Sequence, residues 1–176
     1  METNWQISKS QKELLDSLFG TIGLKGINDV LDIGSGRTSI FYLTDRFKGL
    51  NIKGIVFPGD LRKINPIKDC VKNDNYELIE VDIKDLNLDK PFDIVLAHLF
   101  LGEAEQFGEN KYEDVLEKIF SIKTKYLVLV NLIKDNINYS LLLKEIALKG
   151  NISKLGYIKS ESGEDCLGIL IKLNKF

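Results

Sequence analysis

Four short stretches of the chain hold residues whose type and spacing suit chemistry. The first is Asp32-Ile33-Gly34-Ser35-Gly36, directly behind the apolar pair Val30-Leu31. Its two glycines allow positive φ and let a ligand approach the main chain closely. A helix beginning behind them offers backbone N–H groups that no turn of helix satisfies. Such a turn either holds a nucleotide-like ligand or simply connects a strand to a helix. Asp32 narrows the ligand. A carboxylate repels a neighbouring pyrophosphate, whereas a cationic or amine-bearing group is attracted to it. The run Gly34-Ser35-Gly36-Arg37-Thr38-Ser39 has a serine where a dinucleotide fingerprint needs its third glycine, which weakens a nicotinamide-dependent oxidoreductase. No Gly-Lys-Ser/Thr is present to make a P-loop.

The other stretches lie downstream. "GIVFPGDLRK" holds Asp60, "LIEVDIKDL" holds Asp82 and Ile83, and "DIVLAHLF" holds His98. His98 is the single histidine, so it is the only side chain whose unperturbed pKa lies near neutrality. A base there takes a proton from a hydroxyl or amine; otherwise the ring packs or hydrogen-bonds backbone. Glu103 and Glu105 follow it, and Leu99, Phe100, Leu101 and Phe107 either shape a substrate mouth or cover the sheet. Trp5 is a further aromatic near the N-terminus, which either closes over the pocket or, as expected, packs in the core. Cys70 and Cys166 are far apart and outside any Cys-x-x-Cys, so they read as two reduced thiols away from the reacting edge, and with one histidine no zinc site is expected.

These residues need a frame. Ser10 and Glu13 form a possible capping box ahead of Leu14, Leu15, Leu18, Phe19 and Ile22, one apolar helical face ending near Gly23 to Gly26. Residues 29–33 read as a buried strand and residues 40–47 as a short helix. The alternation repeats: strand 52–57, a short helix from an Asn65-Pro66 cap through Val71, strand 76–81, strand 92–96, helix 112–122, strand 126–132 and helix 139–148. Asp85 is expected to cap a turn, and Asp93 to be structural. Residues 152–160 and 166–173 are strand-like and only Glu161 to Asp165 separates them, too short for a crossover helix, so they form an antiparallel hairpin. The expectation is an α/β chain of five parallel strands with helical crossovers, closed by that hairpin. It forms one domain over 1–176: an N-terminal helical segment over 1–26, then sheet and crossover helices over 27–176.

The bulk numbers agree with one ordinary domain. The chain has 176 residues and is 44% hydrophobic. Its 26 acidic and 24 basic residues nearly balance, which argues against nucleic-acid binding by bulk charge. No apolar stretch approaches the roughly 20 residues that span a membrane, and the N-terminus has no signal-peptide core, so a cytoplasmic protein is expected.

"VLDIGSG" resembles the first motif of the class I S-adenosylmethionine-dependent methyltransferases, an acidic-x-Gly-x-Gly after the first strand. The resemblance covers nearly the whole chain and implies a Rossmann-like doubly wound sheet of order 3-2-1-4-5-7-6. It implies that Gly34, Ser35 and Gly36 contact the methionine portion of S-adenosylmethionine, and that Asp32 organises the loop or meets the amine. It implies that Asp82 and Ile83 meet the adenine. The family's acid at the end of strand two is replaced here by Phe57 and Pro58, and Asp60 comes late; it either reaches the ribose or caps the next segment. His98 falls where strand four meets cofactor and substrate, and no Asn/Asp-Pro-Pro-Tyr accompanies it. The implied activity is methyl transfer to an unidentified acceptor, a small molecule, RNA or protein. The alternative is a module that keeps the fold and perhaps the cofactor but methylates nothing.

Overall fold

The computed structural model describes residues 9–71, 75–88, 90–101, 112–133, 138–159 and 165–174. Its seven strands form one sheet: β1 Asp29–Ile33, β2 Asn51–Val56, β3 Tyr76–Glu80, β4 Phe92–His98, β5 Thr124–Leu132, β6 Gly150–Ile158 and β7 Cys166–Leu173. Their order is β3-β2-β1-β4-β5-β7-β6. β1 to β5 are parallel, while β7 runs antiparallel to both β5 and β6. The order reverses beside β1, between β2 and β4. This is where an open α/β sheet leaves a crevice at its carboxyl edge.

Continuous apolar strands follow from cover on both faces. Val30, Ile94, Leu96, Val128 and Val130 enter one core with Leu15, Leu18 and Phe19 of α1 (Lys9–Phe19) and Ile40 and Leu43 of α2 (Arg37–Arg46). Leu31, Val95, Ala97, Leu127 and Leu129 enter the other, with Leu116 and Ile119 of α4 (Tyr112–Ser121) and Leu142 and Ile146 of α5 (Tyr139–Lys149). Each such buried aliphatic side chain contributes about 1.5–3 kcal/mol, so the middle strands fix the sheet. α1 seats on the hairpin because two paired glycines, Gly156 and Gly168, leave it room. A Cβ on either would come within 2.6 Å of a Leu14 or Leu18 methyl.

Two expected helix caps are not where the sequence reading puts them. α1 already includes Ser10, so Ser10 lies inside the helix and is not its N-cap. α3 spans Leu61–Cys70 and starts well before Asn65-Pro66. The Asp60 carbonyl accepts from Lys63 N (2.9 Å) and Ile64 N (3.1 Å), which starts the helix there. Pro66 then sits inside, at the cost of one bond to the preceding turn. No helix among the described residues is long and apolar enough to cross a membrane.

Candidate active site

β1 runs into a turn that its own residues shape. Gly34 has φ 71°, in the left-handed region. A Cβ on it would lie 2.5 Å from Phe100 Cδ2, so this glycine is required by the fold itself. Gly36 differs. It is the N-cap of α2 with φ −133°, and an added Cβ would meet only the Gly34 carbonyl oxygen at 3.8 Å. Any residue adopts that backbone, so the missing side chain of Gly36 leaves space and relieves no strain. Ser35 N donates to Ile55 O (2.8 Å), tying the turn to β2.

Asp32 is wholly buried beneath this turn. Its Oδ2 accepts from Ser39 Oγ (2.7 Å) and Tyr76 Oη (2.5 Å), and its carbonyl accepts from Ser35 Oγ (3.0 Å). Ser39 Oγ in turn accepts from Gly36 N (3.1 Å). The carboxylate therefore organises the loop through two hydroxyls and, among the described residues, no cation. Oδ1 has no hydrogen-bond partner among the described residues. Burial raises the Asp32 pKa, with the hydroxyls of Tyr76, Ser39 and Ser35 opposing it.

A cavity of about 380 Å³ opens against this turn at the carboxyl edge of the sheet. Gly34, Ser35 and Gly36 form one wall, and Phe57, Ile83 and Leu99 give it apolar surface. Arg37, Thr38, Asp60, Lys63 and His98 bring the polar side chains. A larger hollow of about 930 Å³ lies at the other end of the sheet, against Pro91, Lys123 and Leu173. Ligands of open parallel sheets bind at the carboxyl ends of the strands, so the smaller cavity is the candidate site.

His98 ends β4 and is 7% exposed. Leu99 behind it adopts φ 58°, rare for a branched residue, and its N–H donates to Val130 O (2.7 Å). This turn fixes His98 on the cavity wall. Burial lowers its pKa to about 4, so the imidazole is neutral near pH 7, and its Nε2 has no partner among the described residues.

At the end of β2 the chain makes the turn that Asp60 needs to face the site. Asp60 N donates to Phe57 O (3.0 Å), and Gly59 takes φ 93°. Glu80, at the end of β3, holds the turn by accepting from Gly59 N (2.7 Å) and Leu61 N (3.3 Å). Asp60 lines the cavity and pairs with Lys63 (2.7 Å); its side chain makes no capping bond, although its carbonyl starts α3. Ile83 lines the cavity too, but Asp82 does not. The Asp82 carboxylate accepts from Lys84 N (3.0 Å) and lies 3.4 Å from Lys84 Nζ, so Asp82, and not Asp85, caps the 3₁₀ turn Ile83–Asp85. Cys166 is buried opposite Leu132 at the carboxyl edge, contrary to its expected place, but β4 and β5 separate its strand from β1. Trp5, Glu103, Glu105 and Phe107 lie outside the described residues.

The cavity thus joins Gly34, Ser35, Gly36, Asp60, Ile83 and His98, with Asp32 buried beneath the turn and off the cavity wall. Sequence reasoning missed Ser39, Tyr76 and Glu80. Ser39 was legible as the third residue of a helix whose N-cap N–H needs an acceptor. Tyr76 carried no local signal.

No protein-family model matches the chain, and no curated protein sequence does either. Solved structures do match. The N-methyltransferase NodS from Bradyrhizobium japonicum WM9, in complex with S-adenosyl-L-homocysteine, superposes with a TM-score of 0.71 at 12% identity over 93% of this chain and 85% of that one. The glycopeptide N-methyltransferase MtfA complexed with S-adenosyl-L-methionine gives 0.64 at 10% identity, over 93% of each chain. The 16S rRNA methylase RmtB gives 0.62 at 19% identity, over 94% of this chain but only 62% of that one. This chain has the class I methyltransferase fold. Within that fold the cavity's lining suits the S-adenosyl ligands held by NodS and MtfA. The carboxylate of Asp60 matches a ligand bearing hydroxyl groups, Phe57 and Ile83 suit a flat base, and Gly36 leaves the wall open, while Asp32 lies beneath the turn and does not itself line the cavity.

Proposed function

We propose that this protein binds S-adenosylmethionine in the carboxyl-edge cavity and catalyses transfer of its methyl group to an acceptor, a small molecule, RNA or protein. The observation that carries the reading is the convergence of the Gly34 to Gly36 turn, Asp60, Ile83 and a neutral His98 on one cavity. The cofactor supplies an electrophilic methyl on a sulfonium, a reaction governed mainly by alignment. The residues of the chain then have separate tasks. Gly36 admits the ligand to the main chain, and Asp32 holds the loop beneath it. Asp60 is placed for ribose hydroxyls. Asp82 contributes by fixing the turn that presents Ile83. His98, with its unpaired Nε2, accepts the proton that the acceptor atom releases on methylation.

Titration calorimetry with S-adenosylmethionine, S-adenosylhomocysteine and NAD tests the ligand; preference for NAD defeats the reading. Incubation with cell extract and a labelled methyl donor tests turnover. His98→Asn is expected to leave cofactor affinity intact and lower turnover by about 10²–10⁴-fold. Because the folded-state pKa of His98 is about 4, the wild-type rate stays flat down to about pH 5 and falls only near the pKa. A second reading, cofactor binding without turnover, is favoured by that same low basicity. Saturable binding with no labelled product from extracts would establish it.

A further inference from the structure

Tyr76 and Asp32 are 44 positions apart and on strands that do not touch, since β2 lies between them. They meet because β2 has a glycine at the crossing point. Gly54 is the register partner of both Asp32 and Leu78. A Cβ there would lie 2.7 Å from the Tyr76 ring and 2.4 Å from Ser35 Oγ. The tyrosine ring passes over this gap, and its hydroxyl reaches Asp32 Oδ2 at 2.5 Å and Ser35 Oγ at 3.2 Å. Tyr76 is 1% exposed and does not line the cavity. A buried polar atom needs a partner, but Tyr76 has placed its own on one particular oxygen of one acid.

We propose that Tyr76 is a positioning residue of the cofactor site: seated over Gly54, its hydroxyl holds the buried Asp32 carboxylate, which through Ser39 holds the N-cap of the Gly34 to Gly36 turn on the cavity wall, where the methionine portion of the cofactor lies. This rests on the proposed binding of S-adenosylmethionine. Two donors already saturate Oδ2, from Tyr76 and Ser39, while Oδ1 has none among the described residues. The groups facing the carboxylate are Tyr76 from β3, Ser39 from α2 and Ser35 from the turn; none is charged at neutral pH. An ionised Asp32 in this dry site therefore depends on those hydroxyls. Losing one makes protonation easier and loosens the turn that Asp32 holds through Ser39.

Tyr76→Phe keeps the ring over Gly54 and removes only the hydroxyl. At pH 7 it is expected to weaken S-adenosylhomocysteine binding about tenfold in calorimetry, the effect of one hydrogen bond to a charged group. It leaves 5′-methylthioadenosine, which lacks the amine-bearing portion, unchanged. Affinity of the variant for S-adenosylhomocysteine also falls at a higher pH than that of the wild type, as Asp32 takes up its proton earlier. In the Asp32→Asn background Tyr76→Phe costs nothing further, because the pathway through the carboxylate is gone. Should Tyr76→Phe not fold, Ser39→Ala removes the other donor on the same oxygen and is read in the same way. Equal losses for both ligands, an unmoved pH profile, or additive losses in the double variant overturn the proposal. Wild-type protein that binds neither ligand overturns the S-adenosylmethionine reading itself, and the proposal with it.

Discussion

Asp32 and Asp93 are buried acids on adjacent strands of one sheet, and they are held in opposite ways. Asp93 sits at the amino end of β4, where its Oδ2 accepts from Asn28 N (2.8 Å) and Asp29 N (3.2 Å) and its Oδ1 pairs with Lys125 Nζ (2.6 Å). Burial favours its neutral form, but the ammonium and the two backbone donors outweigh this and hold its pKa below the ordinary value. Asp32, at the carboxyl end of β1, has hydroxyl donors on one oxygen, no cation among the described residues, and a pKa pushed up by burial. The fully partnered acid stitches a strand to the loop before β1. The partly partnered acid stands under the turn that walls the candidate cavity. Unmet polar groups of this kind are costly to keep, so they point to a ligand when they collect at one edge.

The largest effect is expected on the glycine turn above Asp32. Gly36→Val should abolish measurable S-adenosylmethionine binding in calorimetry while the protein stays folded, losing about 1 kcal/mol through a poorer helix cap. Gly34→Val should instead destabilise the fold, because φ 71° and Phe100 both exclude a side chain. A folded Gly36→Val protein with full affinity would break the assignment of the turn.

The two acids give the next test. Asp93→Ala strands two backbone N–H groups and should cost about 2–3 kcal/mol in urea unfolding, most of it from those amides because Lys125 is half in solvent. Cofactor affinity should not change. Asp32→Asn should do the reverse: stability at pH 7 stays within about 1 kcal/mol of the wild type, while affinity for S-adenosylhomocysteine falls about 10- to 100-fold. If both variants lose stability and keep affinity, the two acids have the same structural job.

The smallest effect lies in the pH dependence of stability. The folded-state pKa of Asp93 is depressed, so its contribution is present above the ordinary value of 3.8 and is lost as pH falls through the folded value. That of Asp32 is raised, so stability declines as pH rises from 3.8 through the folded value. Urea midpoints across this range should therefore lose their acid limb in Asp93→Ala and gain stability at the neutral end in Asp32→Asn.

Much of this is readable in the sequence. The alternation of apolar runs predicts every strand, and the five residues from Glu161 to Asp165 require the hairpin. The position of α3 was misread because Pro66 is a strong start signal, while the signal that won, the turn at Phe57 to Asp60, is held by Glu80 from another strand. Asp82 was expected at the adenine; its carboxylate accepts from the amide two residues on, and the residue does not line the cavity.

The sequence by itself determined the elements, the glycine turn behind Asp32, and the arrival of Asp60, Ile83 and His98 at strand ends, because periodicity, caps and turns are settled by residues a few positions apart. The tertiary structure alone decided what holds them. Phe100 makes Gly34 obligatory, Glu80 shapes the turn that carries Asp60, and Tyr76 crosses Gly54 to reach Asp32. Those partners lie 66, 20 and 44 positions away along the chain. They meet only because the strand order places β3, β2, β1 and β4 side by side, and no local pattern encodes which side chain will cross a neighbouring strand.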